Sequence, residues 1–564
     1  MFTALSTLDL VIIAGYFAIV FLLAWYVTVQ ERRMKADKYG SSDYFLGGKN
    51  VGWFVIGASL FASNIGSEHL VGLAGSGARG DMAAGQFEVL ASLILILLGW
   101  VFVPFYIKSG VFTMPEFLER RYNSSARTYL SVVSILAYVL TKISITIFAG
   151  ALVFDVMGVP FWTGAVIVVV ATGVYTVFGG LRAVIYTDMM QMFVLLAGSI
   201  SITFFGLQAL GGWDGMMSVI SEATSQSDVL SRSHFFNLWR PSDDPSFPWT
   251  GILFGAPILG VWYWCTDQFI VQRVLSAKDV SNARKGTIFG GFLKLTPIFI
   301  FIVPGIIAYA LSQQGLVDLQ GNPDKALPAI ITDFLPAGLK GLVLAGLLAA
   351  LMSSLSSVFN SCSTLFTIDF YKKYRPQTSE KQLVWVGQLA TVVLVAISLA
   401  WIPMMRAMME GSSFYQYLQS VQAYISPPIA AAFLLGLFFK RINAKGAIFS
   451  LWTGFALGMF RLVFEYLMGE EIFVPTDGTL LHTLITTNFL HYAIFLFLVC
   501  SAVMIGVSLT APAHSAEKLK NVTYERPPAS KEGFSPANSD FWLTVLLILA
   551  VLTIWWFFSP WGIA

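Results

Sequence analysis

Glu68 and His69 stand in the middle of an otherwise apolar stretch, residues 51–77, that is long enough to cross a bilayer. The residues just before them, Ala62, Ser63, Asn64, Ile65, Gly66 and Ser67, are mostly small or polar. A charge at bilayer depth costs about 3 kcal/mol or more, so such residues persist where they line a pathway or a site. Glycine beside short polar residues weakens a helix, and an unwound turn there is tolerated only if its freed backbone groups face protein, water or a ligand. The segment reads as half of a binding site. Lys294 lies mid-span in Gly290-Gly291-Phe292-Leu293-Lys294-Leu295, and Glu88 follows Gly85-Gln86-Phe87. Facing one cavity, these two would offset each other's burial and keep protons and lone pairs for ligand hydroxyls; the alternative is a purely structural ion pair. Ser353 and Ser354 offer hydroxyl oxygens to a small hard cation, or else bond back to the preceding turn.

These residues need a membrane scaffold. Apolar residues make up 56% of the 564 and charged residues 12%, against roughly 25% charged in soluble domains. Apolar runs of spanning length recur near 9–29, 51–77, 83–106, 128–153, 159–178, 184–210, 250–272, 286–312, 341–370, 384–405, 414–438, 443–468, 482–509 and 540–560. The chain is an all-α polytopic membrane protein with about 14 spans. The first run lacks a basic leader and a cleavage site and reads as a retained helix. A net charge of +2 argues against nucleic acid as a partner. Cys265, Cys362 and Cys500 all fall in spans and form no disulfide framework. The five histidines are scattered and no nucleophile motif appears, which argues against an enzyme.

Alternate connections carry 25 of the 34 Lys and Arg residues, Arg182 and Arg273 among them. The positive-inside rule makes those connections cytoplasmic and leaves both termini outside. Five spans occupy 51–210, an external loop follows at 211–249, and five more occupy 250–438. Five is odd, so the second block enters the membrane inverted, as in transporters whose site lies between two such repeats. Residues 1–50 add an N-terminal helix and a cytoplasmic loop, and 439–564 add C-terminal helices with a cytoplasmic linker at 511–540.

The motifs Asp43-Tyr44-Phe45-Leu46-Gly47-Gly48, Gly57 through Ser67, Gly179-Gly180-Leu181 through Tyr186-Thr187-Asp188, Trp262 through Gln268, and Met352-Ser353-Ser354-Leu355 through Asn360-Ser361 resemble the sodium/solute symporter family. Within it the chain is most similar to the sodium/glucose cotransporters. The resemblance implies a leucine-transporter-type core with a 5+5 inverted repeat and flanking helices, moving a monosaccharide of the glucose/galactose type together with Na+ by alternating access. It implies no organic cofactor. One sodium would be held by the carbonyls of Ala62, Ile65 and Ala350 and the hydroxyls of Ser353 and Ser354. A second site would comprise Ser63, Asp188, Ser356 and Ser357, although Asp188 could equally cap a helix or pair with Arg182. The sugar would meet Asn64, His69, Glu88, Lys294 and Gln419, with the aromatic residues Phe87, Tyr263, Trp264 and Tyr415 stacking on it or gating it.

Gly260, Gln422, Tyr415 and Glu68 depart from the closest members, which leaves myo-inositol or another small polar solute as an alternative substrate. A sensor on the same fold is a further alternative, but 511–540 is too short to form a signalling domain. Lys142 would balance Asp188 or Glu68, and Arg461 would pair with Glu465 four residues on. Short, cysteine-free external loops point to a plasma membrane of bacterial inner-membrane type. Sequence carries no signal for oligomeric state.

Overall fold

The computed structural model describes residues 5–35, 40–66, 68–143, 145–147, 150, 151, 154, 159–227, 230–319, 321–408, 414–469, 471–524 and 534–564. Helices dominate, and no strand forms among the described residues beyond two isolated bridges, Val51 with Ala277 and Arg240 with Pro248. Ten helices among them are long and apolar enough to cross a membrane. Hydropathy suggested about fourteen. The other four apolar stretches, 51–77, 128–153, 159–178 and 250–272, are broken, short or only partly described.

Two of the breaks matter for function. The first stretch forms Trp53–Asn64, leaves helical geometry at Ile65 (φ −73°, ψ 106°) and resumes as a π-helix at Glu68–Leu73 and an α-helix at Ala74–Ala78. The second forms Trp249–Phe254, Ala256–Gly260 and a π-helix at Val261–Thr266. It breaks at Asp267 (ψ 130°), whose carboxylate accepts from the Phe269 amide at 3.0 Å and caps Gln268–Leu275. The two breaks lie in the apolar stretches 51–77 and 250–272.

The helix Leu339–Thr364 is buried at every residue from Val343 onward and forms the centre of the packing. Phe161–Ala209 lies along it and along Thr7–Lys35, while Trp53–Asn64 packs on Val280–Leu293. Gly180 divides Phe161–Ala209 into two helical segments by adopting φ 59°, ψ −167°. A β-carbon there would also sit 2.7 Å from the Tyr44 carbonyl oxygen, so both backbone angle and space require glycine. Large apolar side chains such as Phe193, Ile200 and Phe204 are exposed on the outer surface, as lipid contact requires.

Some basic residues counted as loop charges are interior groups. Arg121 is buried and donates to the carbonyls of Gly436, Phe439 and Ile442, satisfying the C-terminal end of Phe414–Phe438. Arg284 is buried and pairs with Asp540 at 3.4 Å. Arg273, in the helix that follows the second break, is buried, with consequences described below.

Candidate functional site between the broken helices

Lys294 follows the last turn of Val280–Leu293 and is 1% exposed. Its ammonium forms an ion pair with Glu88, donates to Asn64 Oδ1 and lies 3.2 Å from His69 Nε2. His69 Nε2 is in turn 3.1 Å from Glu88 Oε1. Asn64 completes the cluster by donating from Nδ2 to the Tyr263 hydroxyl at 2.7 Å. That hydroxyl also accepts from Lys142 Nζ at 2.6 Å. Five apolar stretches are thus tied together by one polar network at the two breaks. A buried lysine needs such partners, because neither charge of the pair could stay ionised alone in an apolar surround.

The network lines a cavity of about 630 Å³, counting the space open to solvent. Asn64, His69, Phe87, Glu88, Tyr263, Trp264, Lys294 and Gln419 all border it. The geometry therefore brings eight of the nine sequence-derived contact residues onto one cavity. The ninth, Tyr415, begins Phe414–Phe438, and its side chain lies outside the described residues. Trp264 has Lys294 Nζ 5.5 Å from its ring centre, and Phe87 packs edge-on to Phe247. Glu68, read in the sequence as part of the broken segment, and Gln422, noted there only as a departure, border the same cavity. Gly260 does too, and a β-carbon there would stand 3.0 Å from Ile94 Cγ1.

A cluster of hydroxyls and carbonyls lies beside the first break. Ser354 Oγ donates to the carbonyls of Ser63 at 2.8 Å and Ile65 at 3.1 Å, spanning from Leu339–Thr364 to the unwound turn. Ser353 Oγ donates to Asp188 Oδ1 at 2.5 Å, so its lone pairs stay free to meet a cation. Ala62 and Ala350 are 1% exposed on the two flanking helices. Such an oxygen set suits a small hard cation.

Asp188 is fully buried, and its partner is Arg273 at 3.3 Å rather than Arg182. Ser59 donates to Asp188 Oδ2 at 2.6 Å, and the same hydroxyl accepts from Arg273 Nε at 2.9 Å. Arg273 also donates to Ser357. Ser356 and Ser357 both bond back to the Ser353 carbonyl, and Ser63 to that of Leu60. Sequence reasoning missed Arg273 as a member of this cluster. Its only local signal is that it lies within a turn or two of the Trp262–Gln268 motif.

A profile of the Sodium:solute symporter family matches residues 44–454. The chain belongs to that family. Sheep sodium/glucose cotransporter 1 is 40% identical over 527 residues, which cover 89% of this chain and 78% of the relative. The human sodium/myo-inositol cotransporter is 36% identical over 569 residues, 95% of this chain and 78% of the relative. Among solved structures, a Na+-coupled sialic acid symporter in a substrate-bound outward-open state superposes with a TM-score of 0.73. It is 23% identical and covers 90% of this chain and 99% of its own. A nucleobase-cation-symport-1 transporter follows at TM-score 0.50 and 17% identity. These last two establish the fold, that of the leucine-transporter type. As a family member the protein is a multi-pass, sodium-coupled transporter and not an enzyme, with Na+ as its coupling ion.

Proposed function

We infer that this symporter imports a neutral hexose-type sugar with sodium. The observation that carries this is the balanced polar lining of the cavity. Glu88 and Lys294 neutralise each other, Glu68 lies within Coulombic range of Lys142, and Asn64, His69 and Gln419 add further donors and acceptors. Such a lining recognises a ligand by its hydroxyls and gives a net charge no advantage. Phe87, Tyr263 and Trp264 supply apolar faces for the ring carbons, as does Tyr415 in this reading. The names of the sheep and human relatives, glucose and myo-inositol cotransporters, point to the same ligand chemistry. A polyol of the inositol type is the second reading, favoured by Gly260, which adds no side chain to the cavity.

Sodium binds in this reading to the carbonyls of Ala62, Ile65 and Ala350 and the hydroxyls of Ser353 and Ser354. Asn64 lies between two of the carbonyl ligands, so ordering the break for the ion also sets a solute contact. Linkage then requires solute to raise sodium affinity by the factor by which sodium raises solute affinity. A second ion at Ser63, Asp188, Ser356 and Ser357 is the alternative stoichiometry, and it requires Arg273 to withdraw from Asp188. The blocks 51–210 and 250–438 act as the two inverted repeats. Both termini face outward across a plasma membrane of the bacterial inner type in this reading; the charge distribution of the connections supports the orientation. Uptake of a panel of labelled sugars and polyols into proteoliposomes, with and without an inward sodium gradient, tests the assignment. Sodium-dependent accumulation of a neutral hexose is expected, and its absence across the panel refutes the reading.

A further inference from the structure

We propose that Glu68 supplies the fixed negative charge of the sodium site and shares it with Lys142. This rests on the reading that sodium binds at the break. The five ligands assigned to the ion there are all uncharged, so the charge must come from nearby or not at all. Glu68 opens the π-helix that follows the break. A β-carbon placed on Gly66 would lie 2.8 Å from Glu68 Oε2 and 3.2 Å from Ser354 Oγ. The carboxylate and a ligand hydroxyl therefore flank the same backbone atom, one residue after the carbonyl of Ile65. Glycine at 66 is what lets them approach.

On its other side Glu68 borders the solute cavity and lies within Coulombic range of Lys142 and Lys294. Lys142 donates to the Tyr263 hydroxyl, which accepts from Asn64 as well. One carboxylate thus lies by the ion position and acts electrostatically on the lysine that holds an aromatic wall of the cavity. Sodium and Lys142 compete for its charge. When the ion binds, Lys142 loses part of its counter-charge and leans on Tyr263, so the cavity wall senses the ion. The competition works in reverse: Lys142 weakens sodium binding.

A unit charge on the order of 5 Å away in a partly hydrated site changes ion affinity by about tenfold or more. Binding of radioactive sodium to the purified full-length protein, with no solute present, tests this. Glu68→Gln should weaken binding about tenfold or more, whereas Lys142→Gln should tighten it. Opposite signs are the signature of charge sharing; general damage to the site weakens both. Unchanged affinity in Glu68→Gln, while Ser354→Ala weakens binding, overturns the proposal and leaves the ion site standing. If Ser354→Ala is also without effect, the ion site itself is misassigned and the proposal falls with it. If Glu68→Gln does not fold, Lys142→Gln decides alone: tightening supports the shared charge, and any other result overturns it.

Discussion

Lys294→Ala is the sharpest perturbation of the proposed solute site. Lys294 and Glu88 are 1% and 5% exposed, so removing the ammonium leaves a carboxylate buried with, among the described residues, His69 at 3.1 Å to help it. Breaking a buried pair by deleting one partner costs about 3–5 kcal/mol. Glu88→Ala strands the ammonium and should cost a similar amount, softened by the acceptor Asn64 Oδ1. Removing both leaves no orphan charge, so the double variant should be more stable than the sum of the singles implies, by about 2–3 kcal/mol. Unfolding in mixed micelles with rising denaturing detergent gives all four free energies. Solute binding, measured on the same samples, should be lost in all three variants, because stability is restored without the hydrogen bonds. A coupling energy under about 0.5 kcal/mol would show that the two charges are solvated independently. Uptake surviving in Lys294→Ala would place the solute elsewhere.

Gln419 borders the cavity without joining the Lys294 network, so Gln419→Ala should weaken solute binding about fivefold to tenfold, the worth of one hydrogen bond. Sodium binding without solute should not change; equilibrium binding of each ligand separates the two. Outside the membrane spans, Glu119 pairs with Arg127 at 2.5 Å and Lys373 at 3.7 Å. Partial burial pushes its carboxyl up, but the hydrogen bond and charge of Arg127 pull it below the ordinary 4.5. A lowered carboxylate contributes stability above its ordinary value that is lost as pH falls through the lowered one. Glu119→Gln should therefore melt earlier than the parent at pH 7, with the two converging as pH falls through the lowered carboxyl value; a gap that persists in stronger acid contradicts the pairing.

The first break was legible because it announces itself locally. Asn64, Gly66, Glu68 and His69 interrupt an apolar run, and no lipid-facing helix tolerates that combination. Lys294 was legible for the same reason, a charge too deep for solvent, whereas Glu88 was singled out by the family resemblance. The second break was not, since Trp262-Tyr263-Trp264-Cys265-Thr266 reads as a continuous apolar helix and only Asp267, as a cap, ends it. Arg273 was misplaced because hydropathy cannot tell a loop charge from one buried against a carboxylate 85 residues away. Lys142 bonds to Tyr263, 121 residues on, and its role is equally invisible along the chain. Local composition reveals where a membrane helix must break; pairing of distant charges depends on how the two repeats interlock.

That pairing bears on stoichiometry. Asp188 orients Ser353, a proposed ligand of the first ion, by accepting its proton at 2.5 Å. Arg273 already supplies a positive charge beside Asp188 and a donor to Ser357, so a second sodium there would have to displace a guanidinium from a fully buried carboxylate. The expected ratio is one charge per solute. One ion descending a tenfold gradient and about 100 mV supplies roughly 3.7 kcal/mol, enough for about a 500-fold solute gradient, and two ions square that ratio. Reversal potentials of the reconstituted protein read the ratio directly. In Asp188→Asn, Ser353 loses its charged acceptor, so sodium affinity should fall while the ratio stays at one. A parent ratio of two that drops to one in Asp188→Asn would instead make Asp188 a ligand of a second ion, with Arg273 its displaceable counter-charge.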